Sequence, residues 1–98
     1  MKHIYICGKI IGDPNYQEKF QMEKDRLESF GYIAVNPTAF VPASDPWPKA
    51  MKTAIRAMLL CDGISLLPDW KESKGAKIEV ALAKKLGMEI RESHQWLF

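Results

Sequence analysis

One glutamate lies where a helix should be apolar, and its position is the strongest chemical signal in the chain. The segment SKGAKIEVALAKKLG has a helical pattern with an apolar arc that includes Ile78, Val80 and Leu82. Glu79 falls in the middle of that arc. A carboxylate is rarely buried without a partner, because removing its charge from water is costly. Glu79 is therefore either a structural carboxylate, paired with a turn or a basic residue, or a nucleophile or base presented to a crevice.

The residues just before this helix have the types that bind an anion. Ser73 stands where a helix N-cap is expected, and Lys74 and Gly75 follow it. The free backbone N–H groups at a helix N-terminus attract negatively charged ligands. Capping and anion binding are compatible, so Ser73 and Gly75 are candidate binding residues as well as structural ones.

The N-terminal segment MKHIYICGKIIGDPNY has the organisation of a second binding element. Its apolar run IYIC is typical of a buried strand, which ends at Gly8. Gly8 gives either conformational freedom or room for close backbone approach. Asp13 can cap a helix whose first turn contains Pro14. A strand, a glycine turn and a helix together place a ligand at the helix N-terminus.

Strand and helix patterns alternate along the whole chain. Helices are predicted over residues 14–29, 49–60 and 73–86, and strands over 4–7, 32–35, 63–67 and 88–90. Residues 38–48 form a proline-containing loop of the length that functional lids have. We expect one α/β domain over 1–98, a three-layer Rossmann- or flavodoxin-like parallel sheet of about four strands, the first central, flanked by helices on both faces. Ligands bind such sheets beyond the carboxyl ends of the strands, which here are Gly8-Lys9, Asn36-Pro37 and Asp69-Trp70.

Composition argues against several classes of protein. The net charge of +2 is too small to imply a nucleic-acid partner. No apolar run reaches the roughly 20 residues of a membrane span, and no signal peptide precedes the first strand.

Cys7 and Cys61 each lie beside an apolar strand, so we expect two reduced thiols in a cytoplasmic protein. His3 and His94 lie at opposite ends of the chain and suggest no metal site. We expect no cofactor.

The C-terminal segment HQWLF is too apolar to extend freely into solvent. A chain of 98 residues has a thin core, because it buries only about two-thirds of its unfolded surface. We expect Trp96 and Phe98 to be buried against a neighbouring subunit, and we therefore predict a homo-oligomer.

Three stretches carry a family resemblance: YICGKIIG, GYIAVNP and CDGISLLPDWKESKGAKIEVALAKKLG. On these the chain resembles the nucleoside 2-deoxyribosyltransferase superfamily, and within it the small bacterial and phage deoxyribosyltransferase-like domains. The segment YICG followed by Ile10 is also similar to the opening of the 2-deoxynucleoside 5-phosphate N-hydrolases. The resemblance covers nearly the whole chain.

The resemblance implies cleavage or transfer of the N-glycosidic bond of a deoxynucleoside or its 5-monophosphate. Glu79 matches the nucleophile that attacks the anomeric carbon, and Tyr5 matches the tyrosine that orients this carboxylate. Such a carboxylate stabilises an oxocarbenium-like transition state and then bonds to the sugar. The implied nucleotide lies on the bare backbone after the first strand, with Ser73 at its phosphate. The residues predicted to bind it are Gly8, Lys9, Ile10, Gly12, Asn36, Asp69, Trp70, Ser73 and Gly75.

One residue departs from the family pattern, and it bears on whether the protein is an enzyme or a nucleotide-binding module. The family has an aspartate, which helps protonate the leaving base or orient the sugar, eight residues before the position of Asp62, and Ala54 stands there. Loss of a general acid typically removes on the order of 10²–10⁴ in rate, unless Asp45 or Asp69 substitutes. The alternative is therefore a nucleotide-binding module with little or no catalysis. A phosphoacceptor or flavin domain is a third, weaker possibility, since no acidic cluster or hydroxyl-rich phosphate loop follows the first strand.

Overall fold

A computed structural model describes residues 2–97 of the chain. The strands are β1 (His3–Cys7), β2 (Ile33–Val35), β3 (Gly63–Leu66) and β4 (Glu89–Glu92). The helices are α1 (Tyr16–Ser29), α2 (Trp47–Leu59) and α3 (Lys74–Lys85), and single 3-10 turns cover Pro37–Ala39, Trp70–Glu72 and Ser93–Gln95. Within the described part of the chain, no helix is both long and apolar enough to cross a membrane.

The four strands form one parallel sheet in the order β2-β1-β3-β4. This confirms the predicted α/β class and the interior position of β1, which pairs with β2 through Tyr5 and Val35 and with β3 through Tyr5 and Ile64. The short apolar runs IYIC and GISL suit strands that are covered on both faces.

Side chains alternate along β1, so the two faces of the sheet form two separate cores. Ile4 and Ile6 pack with Phe20 and Leu27 of α1 on one face. The second core, on the other face, joins the sheet to α2 and α3 and contains Tyr5, Cys7, Ala54, Met58, Cys61, Ile64, Leu66, Ala76, Val80 and Ala83. Helices on both faces were predicted, and the arrangement is that of a Rossmann- or flavodoxin-like domain.

Several element boundaries differ from the predicted ones. The first helix begins at Tyr16 rather than Pro14, because the Asp13 carboxylate accepts a hydrogen bond from the Asn15 N–H (2.9 Å) and forms a separate turn. Helix α2 begins at Trp47, inside the predicted loop, because Pro48 suits the first turn of a helix. The strand predicted over 88–90 instead spans Glu89–Glu92.

Trp96 is buried within its own chain rather than against a neighbouring subunit, which corrects the prediction for the C-terminal segment. It is only 1% exposed and packs in the core beneath α1, and its indole N–H donates to the Ile64 carbonyl (2.9 Å). Gly63 makes this possible, since a Cβ there would lie 2.8 Å from the indole ring. Phe98, the other residue of that prediction, lies outside the described residues.

Candidate functional site

A cavity of about 670 Å³ opens at the carboxyl end of β1. Helix α1 follows β1 on one face, whereas α3 follows β3 on the other, so the carboxyl ends of these strands form a topological switch point. Ligands bind open α/β sheets at such points. The cavity is lined by Tyr5, Ile6, Gly8, Ile10, Ile11, Tyr16, Phe20, Pro37, Thr38, Val41, Pro42, Ala43, Asp45, Trp47, Ala50, Met51, Ala54, Glu72, Ser73, Lys74, Gly75, Ala76 and Glu79.

Glu79 lies in the wall of this cavity and is held by two neutral donors from β1. The Tyr5 hydroxyl donates to Oε2 (2.7 Å), and the Cys7 thiol donates to Oε1 (3.4 Å). Strand alternation places both donors on the face covered by α3, and the small side chain of Ala76 lets the helix pack closely there. Among residues 2–97, no lysine, arginine or histidine forms an ion pair with Glu79.

The ionisation of these three groups follows from their burial. Burial raises the pKa of Glu79 above its ordinary value of 4.5, although the hydrogen bonds from Tyr5 and Cys7 oppose the rise. Burial, together with the Glu79 charge, raises the pKa of Tyr5 and that of Cys7 well above their ordinary values. The phenol and the thiol therefore keep their protons and act as donors, while Glu79 carries whatever negative charge the cluster holds.

Helix α2 forms the opposing wall and lacks the carboxylate that the family resemblance would place there. Ala54 is buried and lines the cavity. Of the two aspartates considered as substitutes, Asp45 lines the cavity. Its side chain is 16% exposed, with the carboxylate 3.6 Å from the Lys49 amine. Asp69 lies outside the cavity lining.

The N-terminus of α3 closes one end of the cavity. The Ser73 hydroxyl accepts a hydrogen bond from the Ala76 N–H (3.1 Å), so it is the N-cap, as the sequence predicts. Gly75 allows α2 to approach, because a Cβ there would lie 2.9 Å from the Met51 sulfur. Lys74 extends over the Trp47 ring, with its amine 4.6 Å from the ring centre. This cation–π contact joins α2 and α3 at the cavity.

Two predicted residues of the segment after β1, Gly8 and Ile10, also line the cavity. Gly8 is required by the fold itself, because a Cβ there would lie 2.7 Å from a methyl carbon of Leu67. Its bare backbone is thus explained by close packing, and the face it presents to the cavity is available to a ligand.

Lys9, Gly12 and Asp69 lie outside the cavity lining. The Lys9 amine pairs with Glu72 (3.1 Å), and its backbone N–H donates to Asp69 (3.0 Å). Asp69 also pairs with Lys19, so its carboxylate fastens the segment after β1 to the end of β3. Gly12 has a positive φ of 85° and makes a turn. The observed roles of these three residues are structural.

Asn36 and Trp70 lie outside the lining as well. The Asn36 side chain accepts hydrogen bonds from the backbone N–H and hydroxyl of Thr38 (2.9 and 2.7 Å), so it caps the turn after β2. Trp70 packs against the core formed with α2 and α3. Both residues shape the carboxyl edge of the sheet rather than the cavity surface.

Sequence reasoning missed the contact of Cys7 with Glu79 and the position of Trp47 in the cavity lining, and it named Asp45 only as a substitute acid and Lys74 only as a neighbour of the expected anion site. The signal for Cys7 was present, because strand alternation puts it on the same face as Tyr5. No periodic signal exists for Asp45, which lies in an irregular segment. Within residues 2–97, no group of three or more His, Cys, Asp or Glu side chains could hold a metal ion.

A second buried glutamate, Glu23 of α1, was also missed. It is 6% exposed, as Glu79 is, but it lies on the opposite face of the sheet. The Arg26 guanidinium donates to both of its oxygens (2.8 and 3.0 Å), and the Ser65 hydroxyl donates at 2.6 Å. Glu23 therefore has the charged partner that Glu79 lacks.

Comparison with known proteins places the chain in a family without assigning it an activity. No curated protein matches the chain. A family described as a domain of unknown function (DUF4406) matches residues 2–92, which covers every strand and helix named above. The chain therefore belongs to the DUF4406 family.

Proposed function

We propose that this protein cleaves or transfers the N-glycosidic bond of a deoxynucleoside or deoxynucleoside 5-monophosphate, with Glu79 as the nucleophile. The observation that carries the proposal is the environment of Glu79. Its carboxylate is buried in a cavity wall and held by Tyr5 and Cys7, and no cation neutralises it within the described residues. The resemblance to the nucleoside 2-deoxyribosyltransferase superfamily supplies the reaction class.

Cleavage or transfer of the N-glycosidic bond needs a carboxylate that can act as a nucleophile. In the first step a Glu79 oxygen bonds to the anomeric carbon while the bond from that carbon to the base nitrogen breaks. The electron pair of the broken bond leaves with the base, which takes up a proton. Water, or the nitrogen of a second base, then displaces Glu79 and loses a proton to solvent. A buried, unpaired carboxylate stabilises the positive charge that develops on the sugar.

The rest of the cavity fits a nucleotide in size and polarity. Its volume lies within the usual range for small-molecule sites, and most of its lining is apolar or aromatic. The N-terminus of α3, with Ser73 and Lys74, presents positive potential to a 5-phosphate group. Tyr5 fixes the carboxylate plane, so that it faces the sugar.

A second candidate function is a nucleotide-binding module with little or no catalysis. Ala54 favours it, because that wall of the cavity offers no group to protonate a leaving base. The raised pKa of Glu79 also favours it, since protonation removes the nucleophile. Besides Glu79, the lining contains the acids Asp45 and Glu72, and Asp45 could assist the leaving group.

The two candidates are separated by assaying the purified protein with a panel of deoxynucleosides and their 5-monophosphates. Free base is measured by chromatography, and binding is measured by calorimetry. Release that is lost in Glu79→Gln and kept in the surface variant Glu28→Gln supports the enzyme. Binding without release supports the module. Neither binding nor release across the panel would contradict both.

Homo-oligomer formation and a cytoplasmic location remain predictions. The first no longer rests on Trp96, but the thin core and the family resemblance still favour it. Exposed apolar side chains on or next to α2 and α3 add to this: Leu59, Leu60, Ile78 and Leu86. Sedimentation at micromolar concentration tests it, and a monomer there would contradict it. The second rests on the free thiols of Cys7 and Cys61, both of which are buried.

A further inference from the structure

The two oxygens of the Glu79 carboxylate are held by donors of different strength. Oε2 accepts from the Tyr5 hydroxyl at 2.7 Å, whereas Oε1 accepts from the Cys7 thiol at 3.4 Å. A thiol is a weak donor and a phenol a strong one. Oε1 therefore keeps more of its electron density, although both oxygens are fixed in place.

Cys7 packs in the core between the sheet and α3, and of the two acceptors within reach of its thiol, Glu79 Oε1 is the nearer. It is 1% exposed, and the second acceptor within reach of its sulfur is the Ala76 carbonyl of α3, at 3.7 Å. Buried thiols are usually inert packing groups. This thiol instead lies against the one carboxylate of the cavity wall that has no charged partner among residues 2–97.

We propose that Cys7 is a positioning residue for Glu79: its thiol holds Oε1 as the oxygen that bonds to the anomeric carbon, while Tyr5 holds Oε2. The inference rests on the proposed function and assigns the attacking atom within it. The bond from Oε1 to carbon forms as the carbon–nitrogen bond breaks, and the electron pair leaves with the base.

The surroundings of Glu79 allow this role to be isolated. Strand β1 contributes two titratable groups that face it, Tyr5 and Cys7, and α2 contributes only non-ionisable side chains to the cavity lining. The other charged side chains of the lining are Asp45, Glu72 and Lys74. None of these is within hydrogen-bond distance of Glu79 in the described chain, so a change at Cys7 acts on Glu79 directly.

Cys61 provides a matched control. It is a second buried cysteine in the same core, just after α2, and its thiol donates to the Ala57 carbonyl of that helix (3.5 Å) rather than to Glu79. Burial raises its pKa to about 11, so it too remains a thiol at neutral pH.

The test follows the Glu79 carboxyl carbon by carbon-13 NMR as a function of pH, with Glu79→Gln identifying the signal. Cys7→Ala should move the midpoint of the titration upward, because the ionised form loses a donor. Cys61→Ala should leave it unchanged, and Cys7→Ser, which keeps a donor, should bring it back to the native position or below. An unmoved midpoint in Cys7→Ala, or an equal shift in Cys61→Ala, would overturn the inference.

Base release supplies the second readout. At the high-pH plateau, Cys7→Ala should release base roughly tenfold more slowly than its parent, because the attacking oxygen is no longer fixed; the parent is the native chain, or Ala54→Asp if native release is too slow to follow. Cys61→Ala should stay within about twofold of the parent. Cys7→Ser should stay below the parent, since a hydroxyl withdraws more electron density from Oε1, and faster release by Cys7→Ser would contradict the assignment of that oxygen.

The two proposals can fail separately. A shifted midpoint in Cys7→Ala with no Glu79-dependent base release by either the native chain or Ala54→Asp would support the contact of the thiol with Oε1, and it would contradict both the reaction and the attacking role. Base release that depends on Glu79, together with a Glu79 titration midpoint that is the same in Cys7→Ala as in the native chain, would support the reaction and overturn the inference.

Discussion

The protein buries one glutamate on each face of its sheet, and the two have opposite surroundings. Glu23 and Glu79 are equally buried, at 6% exposed. The Arg26 guanidinium donates hydrogen bonds to both oxygens of Glu23, and the Ser65 hydroxyl donates a third. Among residues 2–97, the donors to Glu79 are a phenol and a thiol, and Glu79 lines a cavity.

This contrast separates a structural carboxylate from a reactive one. The same arginine that neutralises Glu23 also donates to the backbone carbonyls of Ser93 and Trp96, so the ion pair fastens the C-terminal segment to α1. The charge of Glu79 is not compensated in this way. It is costly to keep in the resting protein and becomes favourable when positive charge develops beside it.

The largest expected effect is the loss of base release in Glu79→Gln. Removing a nucleophile should lower the rate by at least about 10³-fold, measured in the Ala54→Asp background if native release is too slow to follow. The glutamine keeps the shape of the side chain and can still accept from Tyr5, so the thermal midpoint of unfolding should change little. Chromatography of released base and thermal unfolding measure the two effects. A large loss of stability with unchanged release would assign Glu79 to structure.

The next effect is on stability, at Glu23. Glu23→Ala leaves the buried Ser65 hydroxyl without its acceptor and the Arg26 guanidinium without its ion-pair partner, and it should lower the free energy of unfolding by about 2 kcal/mol. Base release per folded molecule should be unchanged, because Glu23 does not line the cavity at Glu79. Urea unfolding measures the first quantity. A cost below about 0.5 kcal/mol, as for a surface substitution, would remove the contrast between the two glutamates.

The third effect is the pH dependence of stability. Burial raises the pKa of Glu79 above 4.5 in the folded state, so the folded protein binds this proton more tightly than the unfolded chain does. Its contribution is fully present below the unfolded pKa and is lost as pH rises through the folded pKa. The stability of Glu79→Gln relative to native should therefore increase across that window and then level off. Urea unfolding from pH 4 to pH 8 checks this, and a relative stability that falls would contradict it.

The smallest effect concerns Asp69, which resembles Glu23 in having a cationic partner. Partial burial lowers the pKa of Lys19, but its hydrogen bonds to Asp13 and Asp69 dominate and raise it above 10.5. The contribution of this pair is thus present at neutral pH and is lost as pH rises through that raised value. Lys19→Met should cost about 1 kcal/mol at low salt and less at high salt. A cost independent of salt would show that the lysine acts through packing.

The fold could be predicted because its signals are local and periodic. Gly31 and Gly87, which follow predicted helices, have positive φ and end them, and the buried runs alternate with these helices. Glu79 was found by helical spacing. The same spacing relates Phe20, Glu23 and Leu27, so the buried position of Glu23 could also have been predicted from the sequence.

The remaining features depend on contacts between distant parts of the chain. Trp96 looks unpartnered in the sequence, but residues 93–97 fold back over the sheet to Gly63 and Ile64. From the sequence, Asp69 is expected to be a site residue at a strand end. In the structure its carboxylate forms an ion pair with Lys19, 50 positions away. No local pattern encodes either contact.

The most direct test of the account is base release by Ala54→Asp, with and without Glu79→Gln, on the deoxynucleoside and monophosphate panel. Ala54 lines the cavity that Glu79 also lines, so an aspartate there restores an acid for the leaving base. We expect slow or undetectable release by the native chain, release faster by roughly 10²-fold or more in Ala54→Asp, and loss of that release in the double variant. Equal release by all three proteins would mean that Glu79 is not the nucleophile.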